Sequence, residues 1–274
     1  MISIFRCPVC GEKLERTDNG YVCGKNHNFD LSKKGYVNLL LSGNMNSKLP
    51  GDNKLMVNAR RDFLQKDFYR PMADALCETV CENFNGSILL DAGCGEGYYT
   101  DLVSQSLHKK FPDARIGGID ISKSACAYAA RKCPAAEIAV ASIFRMPIAD
   151  GGADLMMTLF APCCEAEFRR IIRKDGIMIM VIPSPKHLWQ LKAAVYDDPY
   201  PNEPHDYSFE CFDFLGKKEI AEKIVLDSNE DIRNLFTMTP YYYKTGVEGH
   251  KRVENLERLE TDIGFEILIY KRKT

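Results

Sequence analysis

Short apolar runs alternate with amphipathic stretches from about residue 87 to residue 183. Ile88–Asp91, Ile116–Asp120, Glu137–Ala141, Ala153–Leu159 and Ile177–Pro183 read as buried strands. Gly97–His108, Lys123–Lys132 and Glu165–Arg173 read as helices between them, and Lys174-Asp175-Gly176 as the turn into the last of these strands. Apolar strands separated by helices predict a parallel sheet covered on both faces. Before this unit, 53–66 and 71–84 read as two helices, the first capped by Asp52 and the second carrying Pro71 at its first position. Residues 184–250 are rich in Pro, Tyr and charge, with helices near 187–196 and 229–237, and Phe265–Lys271 reads as a final strand. Residues 1–36 lack long periodic runs and read as a tiny unit of turns and short strands, and 37–51 as a linker. The expected division is 1–36, 37–86 and 87–274.

Composition adds bounds. The chain has 274 residues, 45% of them apolar, enough for one large core and one small one. No stretch approaches the roughly 20 apolar residues of a membrane span, and the N-terminus MISIFRCPVCGEK lacks a signal-peptide apolar region, so a cytoplasmic protein is expected. A net charge of −2 neither announces nor excludes a nucleic-acid partner, because binding needs only a local basic face.

Eleven cysteines, an odd number without an export signal, argue against a disulfide framework. Three of them have metal-ligand spacing. Cys7-x2-Cys10 is followed by Cys23-x3-His27, and Pro8, Gly11, Gly24 and Asn26 supply turns that let paired side chains face one ion. Three thiolates and an imidazole suit a tetrahedral, closed and therefore structural Zn²⁺ site. Some 36 residues cannot bury enough surface to fold alone, so the metal would supply the folding free energy. The alternative is four unrelated residues in a disordered arm.

Leu89-Leu90-Asp91-Ala92-Gly93-Cys94-Gly95-Glu96-Gly97 follows a strand and opens a helix. In a dinucleotide fingerprint the third glycine falls one residue later, where this chain has Tyr98. The pattern D-x-G-x-G-x-G resembles that of class I methyltransferases. Their ligand, S-adenosylmethionine, carries a sulfonium and an amino-acid end instead of a pyrophosphate, so nearby carboxylates help. Asp120, closing the next strand, can accept the ribose hydroxyls; its plainer role is to cap a helix. In that fold the segment from Ala141 to Pro147 borders the adenine.

The chain as a whole resembles the 23S ribosomal RNA (guanine-N1)-methyltransferases, including relatives linked to tylosin resistance. The resemblance is carried by Cys-Pro-Val-Cys at 7–10 with Cys23 and His27, by Lys34-Gly35-Tyr36-Val37-Asn38-Leu39-Leu40, by Pro50-Gly51-Asp52 and by Ala59-Arg60-Arg61-x-Phe63-Leu64. Tyr69-x-Pro71, Asp91 to Tyr99, Ala161-Pro162-Cys163 and Pro183-x-Pro185-x-His187-Leu188 continue it, whereas 197–230 matches weakly. It implies an α/β, class I (Rossmann-like) methyltransferase domain behind a small N-terminal zinc-binding domain that helps to hold an RNA hairpin. It also implies zinc on Cys7, Cys10, Cys23 and His27, and S-adenosylmethionine against Tyr69, the Gly95-Glu96 pair and His187. Asp91, Gly93 and Asp120 complete the expected cofactor set. A homodimer is implied as well. Read alone, Tyr69 is a core aromatic and His187 a surface or capping histidine.

The loop Leu159-Phe160-Ala161-Pro162-Cys163-Cys164-Glu165 lies where this fold delivers its target. Phe160 is placed to stack on an extruded base. Glu165 and Glu167 are candidates to take the guanine N1 proton, although acids also favour a helix N-terminus for its dipole; no residue is assigned as the base. Basic residues gather at Arg6, Lys13, Arg16, Lys25, Lys33 and Lys34, at Arg60, Arg61, Lys66 and Arg70, at Lys186, His187 and Lys192, and at Lys271–Lys273. They are RNA-facing candidates or ordinary solvated surface. Two other readings stand beside RNA methylation: a small-molecule methyltransferase with a structural zinc domain, and a non-enzymatic zinc protein that keeps S-adenosylmethionine as a structural ligand.

Overall fold

The computed structural model describes residues 2–41, 51–203, 206 and 208–274. Pro50, part of one family motif, and most of the expected linker lie outside the described residues. The chain opens with β1 (Ile2–Arg6), β2 (Lys13–Arg16), β3 (Gly20–Cys23) and β4 (Asn28–Asp30), an antiparallel meander. The next strand, β5 (Val37–Asn38), pairs in parallel with the main sheet, so the segment read as linker begins as an edge strand. Then come α1 (Lys54–Leu64) and α2 (Arg70–Asn83). The central unit is β6 (Ile88–Ala92), α3 (Tyr98–Lys110), β7 (Arg115–Asp120), α4 (Lys123–Lys132), β8 (Ala136–Val140), β9 (Ala153–Leu159), α5 (Glu165–Ile171) and β10 (Ile172–Pro183). The rest is α6 (Trp189–Val195), β11 (Phe212–Leu226), α7 (Asn229–Thr237), α8 (Tyr241–Lys244), α9 (Val247–Glu254) and β12 (Leu259–Arg272).

The large sheet has the order β11-β12-β10-β9-β6-β7-β8-β5. Only β12 runs against the others, because it is antiparallel to both β10 and β11. Period-two alternation divides the core. Leu89, Ile116, Leu155, Met157, Ile179 and Val181 face α2, α3, α6 and α7. Leu90, Ile119, Met156, Met178 and Met180 face the other way, toward Phe168 and Ile171 of α5 and toward Ile4, Phe5, Leu14 and Tyr21 of the meander. The crossover from β8 to β9 contains no helix. The meander covers the sheet face there instead. Phe5 forms an antiparallel bridge to Ile148, Arg6 N–H donates to Pro147 O at 2.7 Å, and Ser3 Oγ donates to Glu137 at 2.6 Å. Gly117 makes room for this: a Cβ there would lie 2.0 Å from Ile4 Cδ1.

Several expectations need correction. Asn53, not Asp52, caps α1: its side chain accepts from Met56 N, while Asp52 pairs with Arg60. Pro71 is the second residue of α2 rather than the first. The helix expected to reach Arg173 stops at Ile171, where β10 already begins, with a register irregularity before Ile177. The final strand starts six residues early, at Leu259, and fifteen-residue β11 was not foreseen at all. As an edge strand, β11 is charged and largely exposed, and its stretch KKEIAEKIVL imitates a helix in composition. Helices α8 and α9 were also unforeseen.

Candidate functional site

The metal cluster is assembled as its spacing implies. One donor atom from each of Cys7, Cys10, Cys23 and His27 lies within 4.8 Å of every other. Bond lengths of about 2.3 Å to sulfur and about 2.05 Å to nitrogen give tetrahedral edges of about 3.8 Å (S–S) and about 3.6 Å (S–N). Here Cys10 Sγ and Cys23 Sγ are 3.7 Å apart, and His27 Nδ1 lies 3.5 Å from Cys7 Sγ and 3.4 Å from Cys23 Sγ. The cluster therefore has the size of a Zn²⁺ shell, with Nδ1 as the imidazole ligand. Gly11 N–H donates to Cys7 O, and Asn26 N–H to Cys23 O, closing the two turns.

A second, anionic site forms at the carboxyl ends of β6 and β7. Gly93 N–H and Cys94 N–H both donate to Ile119 O, which folds the glycine loop over β7. Asp120 holds the loop from the other side: Oδ2 accepts from Gly95 N at 3.0 Å and Oδ1 from Ser122 N at 2.8 Å. Gly95 has φ +55° and a Cβ there would meet nothing within 4 Å, so this backbone borders open space that a ligand can enter. Asp91 is 1% exposed; its Oδ2 accepts from Thr100 Oγ1 at 2.6 Å, but Oδ1 is buried without a partner. Burial pushes the Asp91 carboxyl up to about 7, against the Thr100 hydrogen bond, with Asp120 and Glu96 adding to the rise. Glu96 is buried too, and its carboxyl is raised by desolvation while the Arg60 guanidinium opposes the shift. Asp120 is raised by burial against its two backbone donors. Three carboxylates thus crowd one region. Arg60 answers them only in part, since it already bonds Asp52 and donates to Met238 O at 3.1 Å. An orphaned buried carboxylate oxygen in such a place calls for a cationic ligand.

Tyr69 and His187 meet across the fold. His187 Nδ1 accepts from Gly264 N at 3.2 Å, which leaves Nε2–H to point at Tyr69 Oη, 3.4 Å away. Burial pushes His187 down to about 3, so the ring is neutral. Phe265 packs on both rings, at 4.9 Å from Tyr69 and 4.6 Å from His187, and its other neighbour is Phe160 at 5.7 Å. Phe160 is a non-glycine residue at φ +54° with 48% of its surface exposed. A strained, open aromatic at the end of a central strand is where function concentrates. Asp91, Glu96 and Asp120 thus act on one another beside the open turn at Gly95, while Tyr69 and His187 are linked to Phe160 through Phe265.

The candidate bases are occupied. Glu165 Oε1 accepts from Cys211 N at 2.6 Å, and Glu167 accepts from Met146 N while binding Arg170. Both lie in the first turn of α5. Several basic candidates are likewise neutralised: Arg61 by Asp62, Lys66 by Asp231, Arg70 by Asp74 and Lys271 by Asp175. Lys192 is no surface cation; it is 1% exposed and donates to Tyr200 O and Asn202 Oδ1. The sequence marks Arg60 as part of a family motif and as a candidate RNA-facing cation, not as a partner of these carboxylates. Its electrostatic contact with Glu96 and Asp120, 36 and 60 positions away in sequence, is a tertiary fact that no local pattern encodes.

Residues 5–48 match the family model described as "RlmA, N-terminal", a zinc ribbon, and residues 83–235 match "Methyltransferase domain". A 23S rRNA (guanine(748)-N(1))-methyltransferase of Streptomyces fradiae is 34% identical over 199 residues, spanning 71% of this chain and 69% of that protein. The chain belongs to this methyltransferase family. A putative 23S rRNA (guanine-N(1)-)-methyltransferase of Micromonospora griseorubida is 32% identical over 68% of each chain. One of Bacillus subtilis is 32% identical over 72% of this chain and 70% of its own. Membership fixes the two cofactors of this methyltransferase as S-adenosylmethionine and Zn²⁺, and the two donor sets described above fit a sulfonium cation and a zinc ion respectively. No helix of the described residues is long and apolar enough to cross a membrane.

Proposed function

We propose that this methyltransferase transfers the methyl group of S-adenosylmethionine to N1 of a guanine in a hairpin of 23S ribosomal RNA, working in the cytoplasm as a homodimer. The observation that carries the reading is the anionic glycine loop, with open space at Gly95 and an unpartnered Asp91 oxygen, packed through Gly93 against Ala161, the neighbour of the exposed Phe160. Asp91, Gly93, Gly95, Glu96 and Asp120 hold the cofactor, and Tyr69 and His187 close the site behind it. Cys7, Cys10, Cys23 and His27 hold zinc as a folding element. The organisation follows as a zinc-binding RNA-recognition unit (1–36), a connecting segment (37–86) and the catalytic unit (87–274).

S-adenosylmethionine supplies an electrophilic methyl on a sulfonium that leaves readily. The chain's own residues have two tasks, to hold that cation and to present the base in line. Asp91, Glu96 and Asp120 provide negative charge in a poorly hydrated cavity, where it acts strongly. Phe160 stacks on the extruded guanine, held at its angle by the left-handed backbone and by Phe265. Guanine N1 must shed its proton as it attacks, so a general base within hydrogen-bond reach is required.

The decisive test is mass mapping of methylated nucleotides in large-subunit RNA incubated with protein and cofactor. A new N1-methylguanine, abolished by ribonuclease pretreatment, is expected. Methyl incorporation that survives ribonuclease would support the small-molecule reading instead. In the same assay Glu165→Gln and Glu167→Gln are expected to retain cofactor affinity; a hundredfold loss of transfer in either would identify it as the base.

Cofactor binding is also expected to release a proton. A free aspartate is ionised well below neutrality, but buried Asp91 titrates at about 7 and so keeps its proton over the acid side of that value. A cation beside it favours the carboxylate. Cofactor affinity should therefore fall as pH drops below about 7, by at most about tenfold per pH unit. Titration calorimetry at about pH 6 should give an enthalpy that varies with the buffer's ionisation enthalpy. A buffer-independent enthalpy would remove Asp91 from the cation site.

A further inference from the structure

The turn between β8 and β9 was expected only to border the adenine, a part that falls to its buried residues such as Ile143 and leaves its exposed tip without a role. Its tip is Phe144-Arg145. Phe144 is 59% exposed, and Arg145 is exposed with no ion pair among the described residues. An exposed phenylalanine is ordinary on a loose loop, but this turn is rigid. Ser142 and Arg145 form an antiparallel bridge, and Phe144 N–H donates to Ser142 Oγ at 3.2 Å. Beneath the tip, Met146 is pinned on both sides: its N–H donates to Glu167, and its carbonyl accepts from Arg170 at 2.9 Å. Arg170 also donates to Ile148 O at 2.7 Å.

The turn is tied to three other parts of the molecule. Ala141 N–H donates to Asp120 O at 3.0 Å, joining its start to the cofactor cavity. Pro147 O accepts from Arg6 N at 2.7 Å, joining its end to the zinc ribbon. Glu167 belongs to α5, the helix entered from the Phe160 loop. Both loops leave the carboxyl edge of the same parallel sheet, one after β8 and the other after β9. A rigid tip thus presents an aromatic face and an unneutralised guanidinium at the edge from which Phe160 projects.

We infer that Phe144 stacks on an unpaired nucleobase next to the target guanine while Arg145 contacts the phosphate beside it, so that the turn holds the RNA open as Phe160 receives the extruded base. Unstacked RNA bases are recognised in this way, by aromatic faces and by guanidinium groups. Preorganisation by Glu167 and Arg170 removes the ordering cost that a flexible loop would incur on binding. The inference rests on the RNA-methylation reading, and the experiment separates the two.

Phe144→Ala, Phe144→Leu and Phe144→Trp are compared on a full-length 23S rRNA transcript. Phe144→Ala is expected to raise KM for RNA about tenfold or more, the range found for losing one stacked base, with cofactor affinity by calorimetry changed less than about twofold. Phe144→Trp restores KM, whereas Phe144→Leu, apolar but without a π face, does not. Arg145→Ala lowers the slope of log affinity against log salt by about one phosphate. In Phe144→Trp, indole emission above the Trp189 background is quenched when the transcript is added, and this reports stacking whether or not a methyl is transferred. Methyl transfer by the wild type without quenching would overturn the inference and leave the activity standing. Quenching without methyl transfer would support the stacking and overturn the activity. Phe144→Leu acting like the wild type, or Phe144→Ala losing cofactor affinity, would place Phe144 in packing or in the adenine pocket and also overturn it.

Discussion

Stripping the ribbon of zinc with a chelator, or replacing Cys10 or Cys23 by Ser, is expected to lower the melting temperature of the whole chain and not only of its first 40 residues. The four-stranded meander has too little core to persist without its metal. Its apolar residues, however, are shared with the catalytic unit. Phe5 and Leu14 are fully buried, and they lie in one cluster with Leu90, Ile119, Met156 and Met178 of the large sheet. Unfolding the ribbon strips that cluster on one side and leaves Glu137 without Ser3. Each large apolar side chain released costs about 1.5–3 kcal/mol, so two or three of them remove a substantial part of the roughly 5–15 kcal/mol that holds a domain together. A fall of about 10 °C or more follows at about 2–4 °C per kcal/mol. Scanning calorimetry with and without chelator measures it. A separate low-temperature transition that leaves the main one within about 2 °C would show that the ribbon is an independent module.

Asp120→Ala is expected to weaken S-adenosylmethionine binding by about a hundredfold or more. The side chain has two tasks. It orients the glycine loop through Gly95 N, and in the proposed complex it accepts the ribose hydroxyls. A hydrogen bond to a charged group is worth about 1.5–3 kcal/mol, so losing two gives the stated factor. Asp120→Asn keeps an acceptor oxygen for Ser122 N and should lie between the two. Calorimetric titration against each variant decides the matter, and an alanine variant within fivefold of the wild type would move the ribose elsewhere.

The parts of the fold that were legible in the sequence are those whose environment is uniform. Strands β6, β7 and β9 are buried on both faces and read as plain apolar runs. Helices α4 and α7 have Ser122 and Ser228 at their N-caps, each accepting from the backbone, and their bounds fell where expected. Strand β11 was hidden because it has one neighbour and its inward positions mix Gly216, Lys218 and Glu222 with Ile220, Ile224 and Leu226, which blurs the apolar alternation. The ligand clusters were legible to different degrees. Four zinc ligands lie within 21 residues, and local turns set their geometry. Tyr69 and His187 are 118 residues apart, and only the resemblance to a family pointed at them. The stacking of Phe265 between His187 and Phe160 could not be read from any window of sequence, since three strands and a loop converge to make it.

The absence of a helix between β8 and β9 bears on how the polypeptide is made. Ser3 and its partner Glu137 are 134 residues apart, so at about 5–20 residues per second the first strand emerges on the order of ten seconds before the surface it will cover. Throughout that interval its greasy side has nothing to sit on. Metal capture by the nascent segment would at least fix its turns during that wait, and cells starved of zinc are expected to accumulate this protein as aggregate rather than as inactive soluble enzyme.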